Sequence, residues 1–80
     1  MSETRAEIRK FIQDTFFVEG FGDEDSFLKT GVLDSTGMLE LIAFLEEKWG
    51  IKLQDAELVP ENLDSVARVS AFVDGKRRAS

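Results

Sequence analysis

Apolar residues recur every three or four positions in three stretches of this chain, and the segments between them lack that rhythm. The first stretch runs from about Glu3 to Phe17. Ile8, Phe11, Ile12, Thr15 and Phe16 fall at helical spacing, with Glu7, Arg9, Lys10 and Asp14 mostly on other faces. Thr4-Arg5-Ala6-Glu7 at its start fits a capping box, in which hydroxyl and carboxylate satisfy backbone donors reciprocally. The second stretch runs from Ser35 to about Trp49. Its phase predicts Met38, Ile42, Leu45 and Trp49 toward the core. Thr36, Glu40, Ala43, Phe44 and Glu47 lie opposite or on the adjoining flank, with Leu39 and Glu46 at the border. The third opens at Asp64-Ser65 and continues to about Lys76, with Val66, Val69 and Val73 on one stripe and Phe72 beside it.

The connections carry turn chemistry. Gly20 and Gly22 interrupt any helix in the long segment from Val18 to Asp34. Its acidic cluster, Asp23-Glu24-Asp25, fails as a calcium loop, because the fifth and sixth positions are Phe27 and Leu28 instead of an oxygen ligand and glycine. The cluster is expected to begin a helical turn that carries Phe27 and Leu28 inward, with Val32 and Leu33 anchoring the loop. Gly37 weakens the central helix and is expected to leave room for close approach to Ser35. Gly50 supplies the helix stop. Ile51-Lys52-Leu53 reads as an extended plug, and Pro60 as the first turn of a short helix over Glu61 to Leu63. Lys76, Arg77 and Arg78 complement a helix C-terminus, with Arg77 to Ser80 frayed. The predicted fold is one all-α domain over residues 1–80. It is a small four-helix bundle of three main helices and one short helix, with a long loop between the first two main helices.

Composition removes several functions. Sixteen acids against ten bases give a net charge of −6, which disfavours nucleic acid and favours a basic protein partner. Cysteine and histidine are absent, so disulfides, thiolate zinc sites and nucleophile–histidine pairs are all excluded. No enzyme activity, catalytic residue or metal site is expected. No run is apolar enough to span a membrane and the first residues form no secretory signal, so a cytoplasmic monomer is the expectation.

Asp34-Ser35 and Asp64-Ser65 both stand at helix starts, where short polar side chains cap unpaired N–H groups. Only Ser35 follows a Gly-x-Leu loop and precedes a helix whose outer face mixes acids with Leu39, Ala43 and Phe44. A phosphate ester on Ser35 would lie at the positive end of the helix dipole.

Gly31-Val32-Leu33-Asp34-Ser35, Glu40-Leu41, Leu45-Glu46-Glu47, Gly50-Ile51 and Pro60-Glu61-Asn62-Leu63-Asp64-Ser65-Val66 together resemble the carrier protein family of acyl, peptidyl and D-alanyl carriers. The resemblance covers nearly the whole chain in order. It implies that Ser35 receives 4′-phosphopantetheine from coenzyme A, through a dedicated phosphopantetheinyl transferase that uses magnesium, with Asp34 as the acid before it. It further implies a terminal thiol holding acyl or aminoacyl groups as thioesters, loaded by a ligase and passed to downstream enzymes of fatty acid, polyketide or nonribosomal peptide biosynthesis. Thr36, Leu39, Glu40, Ala43, Glu46 and Glu47 become partner contacts on the family's recognition helix. The chain departs from the pattern at Thr36, where a bulky aliphatic residue is usual, and in the dilution of helix charge by Lys48 and Phe44. The run Pro60 to Ser65 looks more like peptidyl and stand-alone secondary-metabolism carriers. The competing expectation is a small acidic helical interaction module in which Ser35 is only a helix cap.

Overall fold

The computed structural model describes residues 3–79, and among these residues the chain forms five α-helices and one 3₁₀ turn. In chain order they are α1 (Glu3–Phe16), α2 (Phe27–Thr30), α3 (Ser35–Trp49), the 3₁₀ turn Asp55–Glu57, α4 (Pro60–Leu63) and α5 (Val66–Ala79). There is no strand among the described residues. The class is all-α, as expected. The helical turn anticipated in the first loop is α2, so two single-turn helices accompany the three long ones.

The long helices meet along their apolar stripes. Ile8 and Ile12 of α1, Leu41 and Leu45 of α3, and Val66, Val69 and Val73 of α5 are fully enclosed, with Phe27 of α2 among them. Burying each such side chain contributes about 1.5–3 kcal/mol. The connecting segments complete the core with Phe21, Leu33, Ile51, Leu53 and Leu63, so the first loop and the Ile51–Leu53 plug are anchored as their sequence implies.

Several positions differ from expectation. The buried seam of α3 is Gly37–Leu41–Leu45, a strict fourfold spacing; Met38, Ile42 and Trp49 are only half-buried on its flank. Phe44 belongs to the interior side, its ring stacked on Phe11 with centroids 4.2 Å apart and Trp49 against its edge at 5.7 Å. Because α3 packs against α1 on one side and the short helices on the other, its apolar arc is wider than a single stripe. Gly37 is buried: a Cβ there would sit 3.2 Å from Leu33 Cδ2 and from Phe16 Cε1. The missing side chain lets α1 approach α3 and opens nothing toward solvent.

Thr4 lies inside α1, and its hydroxyl donates to Asp74 Oδ1 at 2.8 Å, while Glu7 pairs with Lys48 at 3.1 Å. The capping box gives way to bonds tying α1 to α5 and α3. α1 stops one residue early at Phe17, which adopts a left-handed φ of 56° and is 88% exposed. α5 continues to Ala79, beyond the expected fraying point; Ser80 lies outside the described residues. Lys76 is held by Glu57, with Nζ–oxygen distances of 2.9 and 3.1 Å. The Gln54 N–H and Lys76 both donate to the Glu57 carboxylate, which lowers its pKa.

Candidate functional site

The start of α3 is built by loop chemistry. Gly31, at φ 77°, ends α2 in the left-handed conformation that glycine adopts without strain, and Leu33 pins the chain inward. Asp34 is then extended, at φ −99° and ψ −171°, and serves as the N-cap of α3. Its Oδ1 accepts from the Gly37 N–H at 2.7 Å, satisfying one of the unpaired donors of the first turn. With Asp34 as the cap, Ser35 becomes the first helical residue. It is exposed, and its hydroxyl has no protein partner among the described residues. The site therefore offers an uncommitted hydroxyl beside the positive end of a fifteen-residue helix.

Beside that hydroxyl runs a groove of about 270 Å³. Its walls are mainly apolar: Leu28 from α2, Met38, Leu39 and Ile42 from α3, and Leu58 and Leu63 from the α4 side. Three of the four large apolar side chains that the described residues leave exposed, Leu28, Leu39 and Leu58, stand on this groove. Leu28 was expected inside. In a one-turn helix capped by Ser26, however, Phe27 takes the inward position and Leu28 must face the other way.

Asp64 lines the same groove from the opposite side. Its carboxylate accepts from the Leu28 N–H at 3.1 Å and from the Ser26 hydroxyl, and its carbonyl accepts from the Phe27 N–H at 2.8 Å. Asp64 thus fixes α2 against the junction of α4 and α5. No local pattern in the sequence signals this, because its partners are 36 to 38 residues away. Ser65 is 3% exposed, and its hydroxyl accepts from the Arg68 N–H at 3.1 Å as the N-cap of α5.

The six expected partner contacts do not share one face. Thr36 is exposed in the first turn of α3, and Leu39 lines the groove beside Ser35. Glu40, Ala43 and Glu47 line a second groove, between α3 and α1. Glu46 is half-buried and accepts from the Leu53 N–H at 3.0 Å, so it secures the chain after α3. The acidic cluster of the first loop is structural as well. Arg9 and Arg5 both pair with the Asp23 carboxylate, and the Arg9 hydrogen bond, foremost, holds its pKa below the ordinary value. No helix among the described residues is long and apolar enough to cross a membrane.

No protein-family model matches the chain, and no curated protein matches it either.

Proposed function

We propose that this protein is a carrier of acyl or aminoacyl groups, with Ser35 as the attachment residue for 4′-phosphopantetheine. The observation that carries the reading is the free, exposed hydroxyl of Ser35 at the first position of α3. The surrounding residues fit such an arm. No packed side chain needs to move before a transferase reaches the oxygen. The helix dipole favours the phosphate that would be attached, and the adjoining apolar groove could receive a flexible, weakly polar chain. When bound, the arm supplies a thiol that holds the cargo as a thioester; the chain itself contributes no cysteine to compete with it.

In this reading the all-helical fold is a carrier-type four-helix bundle, with α2 as an addition to the first loop. The protein works as a monomer in the cytoplasm and catalyses nothing itself. Its partners are the transferase, a loading ligase and downstream biosynthetic enzymes, with no nucleic acid among them. Thr36 and Leu39 flank the attachment point, and Glu40, Ala43 and Glu47 form the outer docking surface. Exposed acids there raise the encounter rate with basic partners.

Co-expression with a broad-specificity phosphopantetheinyl transferase, followed by intact mass measurement, tests the proposal. One added arm is expected on the parent protein and none on Ser35→Ala. An unmodified parent with its helical circular dichroism intact would instead favour the acidic interaction module.

A further inference from the structure

The single turn of α2 depends on one residue of a distant segment. Ser26, Phe27 and Leu28 all donate to Asp64: the Ser26 hydroxyl and the Leu28 N–H to its carboxylate, and the Phe27 N–H to its carbonyl. Among the described residues, every hydrogen bond that residues 26–30 make beyond the first loop ends on Asp64. The others are local, such as the Lys29 N–H to the Ser26 hydroxyl at 3.1 Å and the Leu33 N–H to the Phe27 carbonyl at 3.4 Å. One side chain holds α2 down as well. Phe27 is fully enclosed, whereas Leu28, Lys29 and Thr30 are exposed.

The chain on either side of α2 is fixed. Before it, the Asp23 carboxylate is held by Arg5 and Arg9, and the Asp23 carbonyl accepts from the Ala67 N–H at 2.8 Å. After it, Leu33 is buried in the core. Between each fixed point and α2 lies a place where the backbone turns. One is the exposed bend at residues 24–25. The other is Gly31, at φ 77°, where even a Cβ would meet nothing within 4 Å. Terminal positions of this kind absorb the rotation when a short element swings. The swing would reach the candidate site through Leu28, which forms a wall of the groove of about 270 Å³ beside Ser35.

We propose that α2 is a hinged flap, latched by Asp64, whose opening removes one wall of the groove beside Ser35. Phe27 sets the resistance. Opening draws its ring out of the core, so the open form is a minor member of the native ensemble. Ile8, Ile12, Leu41, Leu45, Val69 and Val73 belong to α1, α3 and α5, and they stay packed while α2 is away. The groove then takes a bulkier apolar group than its closed walls admit. That use at Ser35 rests on the carrier reading above; the opening of α2 as a unit does not.

Hydrogen exchange on isotope-labelled Ser35→Ala protein tests the flap without any attached arm. The amides of Phe27, Leu28, Lys29 and Thr30 should exchange faster than those of Ile12, Leu45 and Val69, and with a shallower dependence on added urea. Val73→Ala weakens the core far from α2. It should speed the core amides roughly tenfold or more and the α2 amides less than about twofold, because the open flap leaves Val73 packed. Asp64→Ala should speed the α2 amides at least about thirtyfold, and Ser26→Ala should act in the same direction if Asp64→Ala does not fold. Equal acceleration of α2 and core amides in Val73→Ala would overturn the proposal, since α2 would then open only when the whole chain unfolds. Unchanged α2 rates in both latch variants would overturn it too. Failure of the parent protein to gain an arm is read separately, by mass, and alters none of these rates.

Discussion

Asp34-Ser35 and Asp64-Ser65 are the same dipeptide set one residue out of register against the helices they begin. In the first pair aspartate is the cap and serine the first helical residue. In the second, serine is the cap and aspartate stands one step outside the helix. That single step decides what each hydroxyl can do. Ser35 keeps its oxygen free in solvent, whereas Ser65 is buried and occupied by the Arg68 N–H. The aspartates diverge in the same way: Asp34 serves its own helix, and Asp64 reaches across the fold to hold α2. Both pairs nonetheless meet at one groove, which Ser35 borders from one side and Asp64 from the other. Helix starts of identical composition can therefore divide into an open, uncommitted hydroxyl and a structural brace.

The sharpest way to break this contrast is at Asp64. Asp64→Ala removes two hydrogen bonds to α2 and should destabilise the fold by roughly 2–3 kcal/mol, read from chemical denaturation. A loss no larger than that of an ordinary surface variant would mean that α2 is held by Phe27 alone. Ser65→Ala comes next. It strips the cap from α5 in a buried setting and should cost about 1–2 kcal/mol. Asp34→Ala should cost about 1 kcal/mol by the same mechanism at α3, since its cap is more exposed. Ser35→Ala should change stability by less than about 0.5 kcal/mol, because its side chain makes no bond that folding requires. The order Asp64, Ser65, Asp34, Ser35 is the expected result, and inversion of the two serines would refute the register argument.

A smaller effect separates the surroundings of the two pairs. The Asp23 carbonyl accepts from the Ala67 N–H at 2.8 Å, in the first turn of α5, while Arg9 and Arg5 hold its carboxylate. Since the folded pKa of Asp23 lies below its ordinary value of 3.8, this pairing stabilises the fold above that pH. The stabilisation is lost as pH falls below 3.8 and through the lower folded value. Asp23→Asn should flatten the acid limb of a stability–pH profile, with the difference from the parent shrinking as pH falls through that window. A constant offset at every pH would show that the ion pairs add nothing.

How much of this was legible follows from the range of each interaction. The bounds of α3 were readable because Asp34, Gly50 and the apolar spacing act within a few residues of one another. The exposure of Ser35 followed from the same local logic. A single apolar stripe leaves out Leu41, which is fully buried because α3 buries a wider arc than one stripe covers. The tasks of Thr4, Glu46 and Asp64 were hidden for a different reason. Their oxygens complete bonds to backbone or side chains that only the folded chain brings near. Polar residues at helix edges look alike in a sequence until their partners are in place.

Chemical labelling of the parent protein tests the difference between the two serines most directly. The protein is incubated with the transferase and a fluorescent coenzyme A analogue, digested, and mapped by tandem mass spectrometry. All of the label should lie on the peptide that contains Ser35. Label on the Ser65 peptide, or no label on a folded sample, would contradict the assignment.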